Sequence, residues 1–235
     1  QTSYTRNMIS LKEDFDLIIA GQVDGACDHL LSEAASLFAS KTSLELFDMI
    51  HTMRSVDDSV YAHSLNVALI SRAIGKWMQF SKEDLNTLTL AGLLHDIGKT
   101  QIPPEILNKQ GKLTDEEFDI IRSHAKLGHK ILKDTDLDLR IKLAALQHHE
   151  RYDGSGYPRG LESDEIDTFA SIVAIADVYD AMTAARSYRA PKCAFQVIAA
   201  FEDDGFQKYN PKVIFTFLQR VAACYNNSRV LLSDG

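Results

Sequence analysis

Cysteine is scarce in this chain. Only three of its 235 residues are cysteine, and Cys27, Cys193 and Cys224 lie far apart without forming a CxxC pair. This spacing argues against a disulfide framework and against a thiolate metal site. The sequence therefore predicts free thiols in a reducing compartment, and hence a cytoplasmic location.

Long hydrophobic runs are also missing. No apolar stretch approaches the roughly 18 residues of a membrane-spanning helix, and the first residues lack the pattern of a signal peptide. We expect no membrane contact within this segment. Because the chain begins at Gln1 rather than methionine, we expect a longer protein, in which a sensory region or a membrane tether lies upstream.

An excess of positive charge is absent too. The chain has 25 Lys and Arg against 33 Asp and Glu, a formal net charge of −8. This balance argues against binding to a nucleic acid duplex, which favours a basic surface. A small anionic ligand stays open, because a few local cations can override the net charge.

Strand-like alternation is nearly absent and helical periodicity dominates, so the sequence predicts an all-α fold with a core supplied by its 45% hydrophobic residues. Asp57 and Asp58 are expected to cap a long helix. Ser81 is expected to begin the next helix and Gly98 to terminate it. Helices are predicted near residues 7–20, 24–39, 43–53, 59–78, 82–95, 115–123, 124–134, 137–150, 168–185, 192–203 and 211–224. Pro103 and Pro104 open a short segment that runs to Leu107. Residues 151–167 are expected to form an ordered loop.

Motif density divides the chain into three predicted parts. Residues 1–54 form an accessory helical region that could support a homodimer, and residues 55–226 form a catalytic domain. Residues 227–235 break the helical pattern, as the first strand of a small β unit would.

Five histidines and two aspartates stand in apolar, helix-like stretches, where ionisable groups are costly unless they are paired or bind a metal. They are His63, His95, Asp96, His124, His148, His149 and Asp177. Mixed imidazole and carboxylate ligands favour Fe, Mn or Zn over Cu(I) or an Fe–S cluster. The set exceeds one tetrahedral site and indicates two metals with open positions.

Other residues carry weaker signals. His29, His51 and His129 are interpreted as structural. Asp180 follows Asp177 by three residues and Asn66 follows His63 by three, so each shares a helix face with a candidate ligand. Each could therefore orient a ligand through a hydrogen bond.

Several motifs in series resemble the HD-GYP family of cyclic di-GMP phosphodiesterases, a branch of the metal-dependent HD-domain phosphohydrolases. They are HDIGK (95–99), IPPEIL (102–107), HAKLGHKIL (124–132), HHERYDGSGYPRGL (148–161) and ADVYDAMTAARSYR (176–189). The resemblance covers about residues 55–220. It implies an all-α HD-domain bundle with extra C-terminal helices, acting on cyclic di-GMP.

The resemblance also implies roles for single residues. His63, His95, Asp96 and Asp177 would hold one metal, and the catalytic Asp96 would bridge to a second metal held by His124, His148 and His149. Lys99 would face the scissile phosphate. The substrate-binding candidates besides Lys99 are Gly156, Tyr157, Asp180, Arg186 and Arg189.

Two positions depart from the family pattern. Ser59 stands where some members have a glutamate that helps to hold a third metal, so we predict two divalent ions, Fe or Mn, with Zn, Ni and Mg as alternatives. Ser187 stands where proline is common, which should loosen that loop slightly.

The expected reaction is attack of metal-activated hydroxide on the phosphodiester, giving linear pGpG and, after a second cut, GMP. Three alternatives stay open: a noncatalytic module that binds a cyclic dinucleotide, a hydrolase of cyclic GMP-AMP or of mononucleotides, and a di-iron oxygenase.

Overall fold

A computed structural model describes residues 2–38, 41–56, 59–183 and 194–225, and the regular elements within these ranges are helices joined by turns and loops. This confirms the all-α prediction. The helices are α1 Thr2–Ile19, α2 Val23–Phe38, α3 Ser43–Val56, α4 Val60–Trp77, α5 Lys82–Leu94, α6 Pro104–Leu107, α7 Asp115–Arg122, α8 His124–Leu132, α9 Leu139–Gln147, α10 Thr168–Thr183, α11 Ala194–Lys208 and α12 Pro211–Tyr225. Short 3-10 helices span Ile97–Gln101 and Ser163–Glu165.

Serine and threonine hydroxyls cap the N-termini of α4, α5 and α7. The Ser59 hydroxyl accepts a hydrogen bond from the Ala62 amide at the start of α4, a role predicted for Asp57 and Asp58, which lie outside the described residues. Ser81 caps α5 as predicted. Thr114 and Glu117 form a capping box at α7, so each satisfies a backbone amide of the first turn.

Gly98 does not terminate α5 as predicted. That helix ends at Leu94 with His95 as its C-cap, and Gly98 lies within the 3-10 helix that follows. The glycine is needed for packing, because a Cβ at this position would lie 2.0 Å from the carbonyl oxygen of His124. The backbone of this short helix therefore touches the start of α8.

One hydrophobic core joins helices from α1 to α12. Helix α4 runs through its centre and is buried along most of its length. It approaches α5 closely, because Gly92 leaves no room for a Cβ, which would lie 2.6 Å from the Ala68 Cα. Two aromatic pairs, Phe15 with Tyr61 and Phe47 with Tyr179, join the N-terminal helices to this core.

None of the described helices is long and apolar enough to span a bilayer. Cys27 and Cys224 are free thiols, as predicted. Cys193, Arg186, Ser187, Arg189 and the predicted β unit at 227–235 lie outside the described residues.

Candidate metal centre

The seven predicted ligands come from helix ends and from two helix interiors that meet in the core. His63 is in α4 and Asp177 in α10, whereas the others sit where α5 and α9 end and α8 begins. They form two groups, and within each group the ligand atoms all lie within 4.8 Å of one another. The groups are His63, His95 and Asp177, and Asp96, His124, His148 and His149.

Asp96 lies between the two groups and turns one carboxylate oxygen toward each. Its Oδ2 is 3.5 Å from His63 Nε2 and 3.3 Å from His95 Nε2. Its Oδ1 is 3.3 Å from His124 Nε2 and 3.7 Å from His148 Nε2. A carboxylate in this position can bridge two cations, because its two oxygens face different ligand sets.

Hydrogen bonds on the outer side of the rings orient four of the histidines. Nδ1 of His95, His124 and His148 faces the backbone carbonyls of Gly92, Ile121 and Ala144, at 2.7, 2.6 and 2.9 Å. Nδ1 of His63 faces Asp180 at 2.7 Å. A neutral ring that donates through Nδ1 carries its lone pair on Nε2, and in all four rings Nε2 points into the centre.

The interior of the centre is short of hydrogen-bond donors. His95 Nε2 and Asp96 Oδ1 are buried without a hydrogen-bond partner, and His124 Nε2 lies 3.2 Å from His148 Nε2. Buried acceptors without a donor are costly. Nitrogen and oxygen ligands that converge in this way fit divalent transition metals, so the residues present suit a metal centre.

The ionisation states favour cation binding as well. Burial alone would raise the pKa of Asp96, but the positive charge of Lys99 and the imidazoles of His95 and His148 outweigh it and hold the pKa well below its usual range. Burial lowers the pKa of His124 to about 4. At neutral pH this carboxylate is therefore ionised and this imidazole is neutral, which are the forms that bind metals.

His63 differs from its neighbours. Burial lowers its pKa, but hydrogen bonds to Asp177 and Asp180 outweigh burial and raise the pKa to about 9. In the absence of a metal both ring nitrogens therefore carry a proton at neutral pH, one facing Asp180 and the other facing Asp177.

Lys99, one turn after Asp96, is bound to that aspartate. Its ammonium donates to Asp96 Oδ2 and its side chain is 22% exposed. It therefore reaches from the buried carboxylate toward the open side of the centre.

The loop after His149 covers the second group. The Tyr157 ring stacks on the His149 ring at 4.7 Å, and the Tyr157 amide donates to the His149 carbonyl. Gly156 permits this contact, because a Cβ there would lie 2.3 Å from the Arg151 amide nitrogen. Burial raises the pKa of Tyr157, so its hydroxyl keeps its proton.

Asp180 contacts the ring nitrogen of His63 that lies away from the centre. It is fully buried, and its carboxylate accepts from His63 Nδ1 at 2.7 Å and from Asn66 Nδ2 at 2.9 Å. This placement favours the role of orienting His63 over the substrate contact that we predicted for Asp180. Arg186 and Arg189, predicted to contact substrate, lie outside the described residues.

Glu150 was missed in the sequence. Its buried carboxylate accepts from the Arg159 amide at 2.7 Å and from the Leu161 amide at 3.0 Å, and so anchors the loop that carries Tyr157. Its position directly after the histidine pair, ahead of a glycine-rich loop, was the available signal.

A third group, Asp14, His29 and Glu33, lies on α1 and α2. His29 Nδ1 is 2.7 Å from Asp14, whereas Nε2 is 3.9 Å from Glu33. The two ring nitrogens thus face different carboxylates, as in an ion pair, which agrees with the structural role predicted for His29.

Residues 27–213 match the HD domain family, and the chain belongs to this family. The predicted kinship with HD-GYP proteins is confirmed by its relatives. The chain is 39% identical over 179 residues to a cyclic di-GMP phosphodiesterase of Thermotoga maritima, an alignment that covers 75% of this chain and 48% of that protein.

A second relative is the 3'3'-cGAMP-specific phosphodiesterase 2 of Vibrio cholerae, which is 34% identical over 182 residues, 76% of this chain and 35% of that protein. The chain therefore spans half or less of the length of these relatives. Among solved structures, Bd1817, a HDG"Y"P protein from Bdellovibrio bacteriovorus, has the same fold, with a TM-score of 0.74 at 19% identity, over 93% of this chain and 70% of that one.

Proposed function

We propose that this chain is a metal-dependent phosphodiesterase that cuts cyclic di-GMP to linear pGpG, with GMP as the product of a second cut. The observation that carries the proposal is the position of Asp96, whose two oxygens face two sets of imidazole and carboxylate ligands. The relatives named for cyclic di-GMP hydrolysis support the choice of substrate.

The proposed centre holds two divalent ions, Fe or Mn, with Zn, Ni and Mg as alternatives. His63, His95 and Asp177 would bind one ion, His124, His148 and His149 the other, and Asp96 both. When bound, such a pair lowers the pKa of a water molecule and offsets negative charge on a phosphoryl group.

The surrounding side chains prepare the centre for this ligand set. The carbonyls of Gly92, Ile121 and Ala144 keep three Nε2 lone pairs aimed inward, so little reorganisation is needed. Lys99 donates to Asp96 and lies at the edge of the centre, from which its ammonium can reach a phosphate oxygen. Tyr157 keeps its phenolic proton and can donate it in a hydrogen bond to substrate.

A second candidate substrate is 3'3'-cGAMP, because relatives with 34% to 40% identity are named as specific for it. The two dinucleotides share the phosphodiester ring and differ in one base, so the metal centre alone does not discriminate between them.

The test is an anaerobic assay of protein loaded with Mn(II) or Fe(II), given each cyclic dinucleotide in turn, with products separated by chromatography and metal counted in the same sample. Formation of pGpG with about two metals per chain supports the proposal. Full metal loading without product would instead indicate a module that binds the nucleotide, and preferential cutting of 3'3'-cGAMP would reassign the substrate.

A further inference from the structure

A groove of about 230 Å³ adjoins the metal centre on the side of α7 and α8. It is lined by Asp119, Arg122, Ser123, Lys126, Tyr157 and Pro158. Two lining residues connect it to the centre. Ser123 immediately precedes the ligand His124, and the Tyr157 ring stacks on His149.

The groove carries two cations and one carboxylate, a local excess of positive charge in a chain of net charge −8. The Arg122 guanidinium lies 4.6 Å from the centre of the Tyr157 ring, so its position is linked to the loop beside the metal ligands. Lys126 is exposed.

The contact between Arg122 and Asp119 leaves Arg122 available to a ligand. Their closest nitrogen and oxygen are 3.4 Å apart, and the side chains are 40% and 73% exposed. Ion pairs of this kind in water contribute little, so a phosphate can replace the carboxylate at small cost. A guanidinium also matches the paired oxygens of a phosphate better than an ammonium does.

We propose that this groove binds the second phosphate of a cyclic dinucleotide, the one that is not cut. The inference rests on the proposed function. A cyclic dinucleotide carries two phosphodiesters in one ring, so when one lies at the metal centre the other must lie to its side. The groove is an adjoining cavity where Arg122 and Lys126 can meet that charge.

With this assignment the groove discriminates between cyclic dinucleotides and simple phosphodiesters, and it does not discriminate between the bases of the dinucleotides. The second phosphate is the same group in cyclic di-GMP and in 3'3'-cGAMP, so the groove favours both equally. A small phosphodiester with a single phosphate gains nothing from it. Arg122 and Lys126 therefore bear on the choice between cyclic dinucleotides and simple diesters.

The experiment compares steady-state kinetics of the metal-loaded chain on cyclic di-GMP, 3'3'-cGAMP and bis(p-nitrophenyl) phosphate. Arg122→Ala and Lys126→Ala should each raise KM for both dinucleotides about tenfold, with a much smaller change in kcat. Arg122→Lys should give an intermediate KM, because lysine keeps the positive charge but lacks the paired N–H donors of the guanidinium. The ratio of kcat/KM between cyclic di-GMP and the simple diester should fall about tenfold.

Lys130→Ala is the matched control. Lys130 is exposed on α8 one turn beyond Lys126 and does not line the groove. Its substitution therefore removes the same charge at a position outside the groove. Lys126→Ala also guards against misfolding, because an exposed lysine can be truncated with little effect on packing.

The proposal is overturned if both groove variants match Lys130→Ala, or if they lose activity equally on the dinucleotides and on the simple diester. If the wild-type chain cuts only the simple diester, the proposed function fails on its own. Calorimetric titration with cyclic di-GMP then decides the groove: a tenfold weaker affinity of Lys126→Ala upholds it, and an unchanged affinity refutes it.

Discussion

Two clusters in this molecule bring histidine against carboxylates, and they differ in how the imidazole nitrogens are used. In the central cluster, which is the candidate metal centre, three rings use Nδ1 in a hydrogen bond to a backbone carbonyl and turn Nε2 inward. They are His95, His124 and His148. In the N-terminal cluster, His29 points one nitrogen at Asp14 and the other toward Glu33. The first arrangement converges on a point, whereas the second bridges two groups.

Burial separates the clusters further. The central rings of His95 and His148 are fully buried, whereas the His29 side chain is 49% exposed. Unpaired polar atoms are therefore costly in the centre and cheap at the N-terminal cluster, where water can replace a missing partner. Similar residue types thus indicate a metal site in one place and a weak ion pair in the other.

Asp96→Asn should break the central cluster with the largest effect. The amide is neutral and has one oxygen, so it cannot serve both ligand groups. We expect turnover of cyclic di-GMP to fall by about 10³-fold or more and metal content to drop in parallel. Metal counting and product assays on the same sample check this.

Asp134→Asn is the matched control, because its carboxylate is 85% exposed and lies outside both clusters. Full metal content and full activity in Asp96→Asn would show that Asp96 does not bridge.

Asp180→Ala should have the next largest effect. Without this carboxylate, His63 Nδ1 and Asn66 Nδ2 lose a buried acceptor, and the His63 ring loses its orientation. We expect metal affinity to weaken about 10- to 100-fold. The free energy of unfolding should fall by about 1–3 kcal/mol. Metal titration and denaturant unfolding measure the two losses.

Asn66→Ala should weaken metal binding less, because His63 keeps its bond to Asp180. Unchanged metal affinity in Asp180→Ala, together with a raised KM for cyclic di-GMP, would instead support the substrate contact that the sequence predicted for Asp180.

His29→Gln should have the smallest effect, and one that depends on pH. The hydrogen bond to Asp14 raises the pKa of His29 above its usual value in the folded chain. Its stabilisation is therefore fully present below a pH of about 6.5 and is lost as the pH rises through the raised pKa. The difference in unfolding free energy should be about 0.5 kcal/mol at most near pH 6 and vanish near pH 9.

Denaturant unfolding at the two pH values measures this difference, and a double-mutant cycle with Asp14→Asn assigns it to the pair. A larger difference at the higher pH would contradict the ion-pair interpretation.

Local signals in the sequence predicted most of the helices. Ser81 and the Thr114 and Glu117 pair mark helix starts through short-range hydrogen bonds, which the order of residues reveals. The ends were less accurate, as at α11, which was expected to finish near residue 203 and continues to Lys208. Packing against the core decides such ends, and packing is not local.

The site was predicted unevenly for the same reason. The histidines and aspartates stand out because ionisable residues are rare in apolar stretches. Arg122 and Glu150 do not stand out, because their roles depend on contacts across the fold. The contact between Asp180 and His63 joins residues that are 117 positions apart.

The contact between Gly98 and the start of α8 makes the distance between the segments that carry Asp96 and His124 a property of the main chain. A single methyl group at Gly98 would collide with the His124 carbonyl and lie 2.4 Å from the Gly128 amide nitrogen. The two segments therefore cannot come closer together through changes of side-chain rotamer. Variants of this chain with altered metal preference should therefore arise from exchanged ligands, because the segments that carry Asp96 and His124 are already in backbone contact.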